Sequence, residues 1–159
     1  MSITRFIITG VAGIGIVSAG AYALDQTTRN DQGTIIESGE LGVFSFQAGD
    51  CISNLDMNAM NIEKATGVPC AQKHQAEVFA ETYFADNSET RPADFNNKGD
   101  LYCDSQFATF VGQNYEDSTL DYIMLYPLDQ GWEDGDREIT CIIFDPAGFV
   151  TGSLRGANR

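Results

Sequence analysis

The chain has 159 residues, a length typical of one domain. Apolar residues make up 43% of it, which is enough for a packed core and excludes global disorder. It carries 9 Lys+Arg against 23 Asp+Glu, a net charge of -14. That charge argues against a nucleic-acid partner, because phosphate binding needs clustered Lys and Arg side chains.

The N-terminal segment, residues 1–24, is predicted to be a membrane or export signal. Arg5 precedes the run 6–24, which holds no charge across 19 residues. As a helix this run would span roughly 28 Å, close to the ~30 Å hydrocarbon core of a bilayer. Its length favours a signal-anchor that tethers the protein to the membrane, whereas Ala21-Tyr22-Ala23 and the frequent glycines favour a secretory signal cleaved near Ala23. Both interpretations place the remaining residues outside the cytoplasm.

A polar linker at 25–33 is predicted to lead into the domain, which occupies 34–159. Residues 76–84 fit either a strand or a helix, because their apolar positions match both periods. Residues 101–111 are predicted to be a helix with one apolar face, made by Cys103, Phe107, Phe110 and Val111. The remaining strands are predicted at 34–37, 41–47 (after a turn at 38–40), 62–68, 120–126 and 139–144, with a short final strand or tail at 148–156.

If the domain is exported, its cysteines lie in a compartment where disulfides can form. The chain has four, Cys51, Cys70, Cys103 and Cys141. An even number of cysteines in an exported domain predicts disulfides. Of the three possible pairings we favour Cys51–Cys70 and Cys103–Cys141, which close loops of about 20 and 39 residues and would each contribute roughly 3–4 kcal/mol under the chain-entropy model. Zinc is disfavoured, because the chain has no CxxC pair and a single His.

These elements predict an α+β fold. A small, mostly antiparallel sheet of five or six strands packs on one helix, carries two disulfides and follows an N-terminal hydrophobic helix. No cofactor is predicted, because the sequence contains no phosphate-binding glycine loop and no nucleophile motif.

His74 and Glu77 form an H-x-x-E pair. On a helix the two side chains would share a face, and on a strand they would point to opposite faces. A metal site would need a further carboxylate from elsewhere, so no metal ligands are assigned. We favour a His74 that makes hydrogen bonds in a loop beside the Cys70 disulfide. The alternative is an exported hydrolase in which His74 and Glu77 converge in a pocket.

The stretch 129–138 concentrates five acidic residues, Asp129, Glu133, Asp134, Asp136 and Glu138. Carboxylates at short spacing suit calcium, although the spacing of an EF-hand loop is absent. A solvated acidic loop, in which Arg137 offsets part of the negative charge, is the favoured interpretation. A calcium-stabilised extracellular module is the alternative.

Several fragments occur in an order that resembles a known family. They are Gly49-Asp50-Cys51, Gly67-Val68-Pro69-Cys70, His74, Glu77-Val78, Cys103, Tyr126-Pro127, Trp132, Gly135-Asp136-Arg137, Ile139 and Cys141. Together they resemble the septum-formation domain family of bacterial envelope proteins, over about residues 48–156. The resemblance implies an extracytoplasmic, membrane-tethered domain, but it transfers no reaction and no catalytic residues.

The resemblance also implies roles for individual residues. The four cysteines would be structural bridges, while His74, Trp132 and Arg137 would be the family's recurring polar and aromatic positions, with Trp132 packed on a disulfide and Arg137 paired with Asp50 or Glu77. We therefore expect a noncatalytic binding or scaffold module whose partner is an envelope or division protein or a cell-wall component. His74, Glu77, Trp132 and Arg137 are its candidate binding residues.

Overall fold

The computed structural model describes residues 24–57, 59, 62–84 and 88–159. Within these ranges the chain forms ten strands and two α-helices, joined by turns and two short 3₁₀ segments. The strands are β1 (Thr28–Arg29), β2 (Ile35–Glu37), β3 (Gly39–Gly42), β4 (Cys51–Ile52), β5 (Lys64–Val68), β6 (Lys73–His74), β7 (Ala76–Tyr83), β8 (Asp121–Leu125), β9 (Glu138–Phe144) and β10 (Val150–Thr151). The helices are α1 (Phe95–Val111) and α2 (Asp129–Glu133).

Six strands form one antiparallel sheet in the order β3-β5-β4-β7-β9-β8. Two short antiparallel ribbons, β1 with β2 and β6 with β10, form separate two-stranded sheets. The fold class predicted from the sequence is thus confirmed: a mostly antiparallel sheet, one main helix and two disulfides. The ambiguous segment 76–84 contains the strand β7, which pairs with β4 along one edge and with β9 along the other.

Strand β9 is buried on both faces, and each face contributes to a different core. Ile139, Cys141 and Ile143 point into the cluster beneath α1. Ile142 lies in the second cluster, with residues from β2 to β5 and β7. The strand predicted at 139–144 is therefore present, and its alternate residues face two different cores.

Helix α1 is longer than the predicted helix, because it begins at Phe95 rather than near residue 101. Asn96, Asn97 and Gly99 have low helix propensity, so the sequence does not predict a helix that begins this early. Packing compensates: Phe95 meets Trp132 edge-on at 5.0 Å between ring centroids. Gly99 allows a close approach to the sheet, since a Cβ there would lie 2.5 Å from Met124 Sδ. The predicted apolar face, Cys103, Phe107, Phe110 and Val111, is buried as expected.

The predicted turn at 38–40 is wrong, because the chain is already in β3 at Gly39. Residues 24–26 run beside this strand, and the Gln26 N–H donates to the Glu40 carbonyl at 2.8 Å. A Cβ at position 39 would overlap the Gln26 carbonyl, so this close pairing requires glycine. The strand predicted at 41–47 ends at Gly42 and gives way to a 3₁₀ turn, Val43–Ser45.

The segment 25–33, which the sequence suggests is a linker, pairs with the domain. Strand β1 lies against β2, and Asp25 forms an isolated bridge with Leu41. The predicted leader 1–24 falls outside the described residues except for Leu24. Of the helices in the described ranges, none combines the length and the apolar character needed to cross a membrane.

Candidate functional site

Two disulfides cross-link the domain in the predicted pairing. Cys51–Cys70 joins β4 to the turn after β5, with 5.2 Å between the Cα atoms. Cys103–Cys141 joins α1 to β9, with 5.6 Å between the Cα atoms. The second bridge lies in the α1 core cluster, which also contains Trp132, so the tryptophan and this disulfide share one core.

His74 and Glu77 come together beside the first disulfide. His74 ends β6 and Glu77 is the second residue of β7, with Gln75 between the two strands. His74 lies in the β6–β10 ribbon and Glu77 in the six-stranded sheet. The two residues are therefore not on one continuous strand, and the alternation of side chains along a strand does not separate them. Their ligand atoms and Cys51 Sγ all lie within 4.8 Å of one another, and all three residues are buried.

The Glu77 carboxylate accepts a hydrogen bond on each oxygen. Ser153 Oγ donates to Oε1 at 2.7 Å, and the Leu154 backbone N–H donates to Oε2 at 2.6 Å. Burial raises the pKa of Glu77, although these hydrogen bonds and the nearby His74 and Arg155 act in the opposite direction. Glu77 thereby fastens the C-terminal segment, residues 153 and 154, to the central sheet.

The His74 ring is held by its Nδ1 atom, which lies 2.8 Å from the Gln72 carbonyl oxygen. Because a carbonyl only accepts, Nδ1 carries the hydrogen and donates it. Within the described residues, Nε2 has no hydrogen-bond partner, although the side chain is fully buried. The predicted hydrogen-bonded histidine beside the first disulfide is therefore present, but one ring nitrogen is left over.

Arg137 and Trp132 form a second polar centre. Arg137 directly precedes β9, whereas Glu77 pairs with Ile143 near the other end of that strand. The Arg137 guanidinium lies over the indole ring at 3.5 Å from its centroid. Its Nη1 donates to the carbonyls of Trp132 and Asp136, each at 2.7 Å. The Trp132 Nε1–H donates to the Ser88 carbonyl at 2.9 Å. Because Trp132 belongs to the α1 core cluster, the stack joins Arg137 to that core.

The Asp50 carboxylate is paired with Arg29, and Glu77 with Ser153 and Leu154, so the expected pairing of Arg137 with Asp50 or Glu77 is wrong. Nη1 and Nη2 of Arg29 donate to the two oxygens of Asp50 at 2.6 and 2.9 Å. Burial raises the pKa of Asp50, and Arg29 opposes that rise. The only signal in the sequence is a lone arginine in the polar stretch 25–33, and nothing local connects it to position 50.

The acidic residues of 129–138 find separate partners. Asp129 begins α2 and pairs with Arg91 at 3.2 Å, while Asp136 Oδ1 accepts from the Glu138 backbone N–H at 2.9 Å. Within the described part of the chain, these carboxylates do not form a three-ligand cluster. The stretch is partly helical rather than a single loop, and nothing in its geometry favours calcium over solvation.

The fold and its buried polar centres define the class: a small α+β domain that two disulfides cross-link and that a few buried charged groups hold together. A protein-family model described as septum formation matches residues 27–150, and the chain belongs to this septum-formation family. The match begins one residue before β1, well ahead of Gly49-Asp50-Cys51. No curated protein and no solved structure gives a significant match.

Proposed function

We propose that this protein is a noncatalytic, membrane-tethered domain that acts outside the cytoplasm as a binding or scaffold module in septum formation. Family membership supplies the general role. The location, the lack of catalysis and the binding role go beyond family membership, and a separate observation supports each of them.

The disulfides support a location outside the cytoplasm. Every cysteine in the chain is paired. Disulfides form and persist in oxidising compartments, whereas cytosolic thiols are kept reduced. The uncharged run 6–24 would deliver the domain to that compartment and tether it, unless cleavage near Ala23 releases it.

The observation that carries the proposal is that the buried charged groups of Glu77 and Arg137 are engaged in contacts within the fold. Glu77 is 1% exposed, and both of its oxygens accept hydrogen bonds from the C-terminal segment. Arg137 is stacked on Trp132 and bound to two carbonyls. A catalytic acid or base must reach a substrate, whereas these groups reach only the protein interior. Their contacts are those of groups that stabilise a fold.

A binding module needs exposed recognition residues, and one end of the sheet offers them. Strands β7 and β8 both pair antiparallel with β9, so their C-terminal ends lie at the same end of the sheet, beside the start of β9. Tyr83 ends β7, and Tyr126 and Leu128 follow β8; they are 60%, 38% and 48% exposed. We name these three residues the Tyr83 surface. Its apolar character fits an apolar patch on an envelope or division protein better than an anionic polymer, which the charge of -14 would repel.

Complementation in the native host tests the proposal. A strain that lacks the protein receives the full chain with Tyr83→Ser and Leu128→Ser, or with Glu77→Gln, and division is scored by septum spacing. Ile36→Ser with Phe149→Ser is the matched control, because these two apolar side chains are also exposed but lie outside the Tyr83 surface. Thermal unfolding of each purified chain establishes which variants are folded.

We expect the Tyr83-surface variant to fold but to leave septation defective. The control pair and Glu77→Gln should restore it wherever they are folded. A folded Glu77→Gln chain that fails to complement, beside a Tyr83-surface variant that succeeds, would refute the binding role and indicate chemistry at Glu77.

A further inference from the structure

Four side chains of the kinds that bind zinc meet at one place. Ligand atoms of Cys51, His74 and Glu77 lie within 4.8 Å of one another, and Cys70 Sγ is bonded to Cys51 Sγ. In the disulfide neither sulfur is a thiolate, so the oxidised cluster does not provide thiolate ligands. Reduction would give two thiols, which can ionise to thiolates when a metal binds.

The orientation of His74 is an independent sign of a ligand. A histidine that binds a metal through one ring nitrogen usually donates its other N–H to a carboxylate or a backbone carbonyl, which fixes the tautomer. In His74, Nδ1–H donates to the Gln72 carbonyl at 2.8 Å. The Nε2 lone pair is buried and has no partner within the described residues. An unmade hydrogen bond of this kind destabilises a fold unless something else uses the lone pair.

We propose that reduction of the Cys51–Cys70 disulfide converts this cluster into a zinc site with Cys51, Cys70, His74 Nε2 and Glu77 as ligands. A dithiol supplies two electrons and two protons, so the S–S bond breaks, two thiols form and the dithiol becomes a cyclic disulfide. Zn²⁺ then binds the two sulfurs as thiolates, and two protons are released to solvent.

Side-chain rotations would have to bring the ligand atoms, three of which lie within 4.8 Å of one another, to the spacing of a tetrahedral ion. Zinc–sulfur bonds of about 2.3 Å and zinc–nitrogen or zinc–oxygen bonds of about 2.0–2.2 Å place neighbouring ligands roughly 3.3–3.8 Å apart. Each Glu77 oxygen keeps a free lone pair beside its hydrogen bond to Ser153 or Leu154. Two thiolates and a carboxylate would leave one net negative charge on the complex, and the positive charge of Arg155 acts on Glu77.

This arrangement makes zinc and the disulfide mutually exclusive occupants of the same two sulfurs. The oxidised protein would release the ion, and the reduced protein would hold it in the place of the bond. The inference does not depend on the role in septation, because it concerns the redox state of the cluster alone.

Cobalt and zinc titrations test the site. The full chain, purified in mild detergent, carries Cys103→Ala and Cys141→Ala, so Cys51 and Cys70 are its only thiols. It is reduced with a resin-bound dithiol that filtration removes, and Co²⁺ is added without oxygen. The matched variants add His74→Gln or Glu77→Gln, and the oxidised chain is the control.

We expect one Co²⁺ per reduced chain, with the intense absorption of a tetrahedral cobalt thiolate, and displacement by Zn²⁺. Loss of a ligand should weaken affinity by more than ~100-fold, since even outer-shell changes cost 10–100-fold. Zn²⁺ should also raise the melting temperature of the reduced chain but not of the oxidised one. If reduction unfolds the chain, circular dichroism should show Zn²⁺ refolding it.

Absence of stoichiometric binding to the reduced chain would overturn the proposal. So would binding of equal strength in the His74→Gln and Glu77→Gln variants, because the two thiolates alone would then explain it. Tight binding to the oxidised chain would place the metal elsewhere and would also contradict the proposed site.

Discussion

Glu77 is a carboxylate held out of water by the strands around it. Its direct donors, Ser153 Oγ and the Leu154 N–H, are both neutral. Burial therefore dominates and raises its pKa above the ordinary value of 4.5. An acid whose pKa is raised in the folded state stabilises that state only while it is protonated, so its contribution is lost as pH rises through the folded pKa.

Glu77→Gln should remove this pH dependence. Below pH 4.5 both chains are neutral at this position, and above the folded pKa only the wild type carries a buried charge. We expect the wild type to lose stability relative to the variant as pH rises above 4.5 and through the folded pKa of Glu77. One pKa unit between folded and unfolded states corresponds to about 1.4 kcal/mol. Urea unfolding at several pH values measures the difference.

Glu133→Gln is the matched control, because Glu133 is exposed and its substitution removes the same charge from the surface. Asp50 and Asp136, whose pKa values burial also raises, are present in all three chains and cancel in the comparison. A difference between the wild type and Glu77→Gln that stays constant with pH would contradict the inferred shift.

The contacts of individual residues differ in how well the sequence predicts them. The disulfide partners were predictable, because four cysteines in an exported chain allow three pairings and the favoured one joins neighbours along the chain. The convergence of His74 and Glu77 was not. It depends on the chain leaving the β6 ribbon and entering the central sheet within one residue, and neither helical nor strand periodicity describes such a step.

Besides its backbone pairing and the buried Ile35, the β1 ribbon is attached to the domain by one buried ion pair. Arg29 reaches from β1 to Asp50, which lies just before β4 and whose side chain is 3% exposed. The Gln47 N–H donates to the same carboxylate at 2.9 Å. Because breaking a buried pair leaves an uncompensated charge, removal of one partner costs more than the pair itself contributes.

Arg29→Met should destabilise the domain by about 3 kcal/mol, since it keeps much of the side-chain stem but leaves Asp50 without its cation. The exposed pair of Lys64 and Glu40, with side chains 55% and 38% exposed, provides the control. Lys64→Met should cost under about 1 kcal/mol. Equilibrium urea unfolding measures both, and adding Asp50→Asn to Arg29→Met should recover part of the loss. Equal costs for the two Met variants would show that the β1 ribbon is held by other contacts.

Strands and helices whose apolar residues recur with a regular period were predictable from the sequence. Elements held in place by contacts with distant parts of the chain were not. Strand β9 and the apolar face of α1 follow from the positions of Ile139, Cys103 and their neighbours, because burial imposes the pattern directly. Strand β1 lacks such a pattern: Thr28 and Arg29 are polar, and the partner of Arg29 lies 21 positions along the chain. Local sequence carries no trace of a contact that distant.

The whole molecule carries a charge of -14 on 159 residues, and this affects its stability as a unit. Like charges on a compact body repel one another more than they do on an expanded chain, so the excess of carboxylates opposes folding. Salt screens that repulsion: the Debye length falls from about 30 Å at 0.01 M to about 8 Å at 0.15 M. The buried pair of Arg29 and Asp50 is screened much less.

We therefore expect the melting temperature to rise by a few degrees between 0.01 M and 0.15 M NaCl, which corresponds to roughly 1–2 kcal/mol for a domain of this size. Calorimetry at constant pH measures it. A chain with Asp31→Asn, Glu89→Gln and Glu116→Gln, three exposed acidic positions, should melt higher at low salt and respond less to added salt. A melting temperature that falls with salt would mean that attractive ion pairs outweigh the net repulsion, and the same three substitutions would then lower stability instead of raising it.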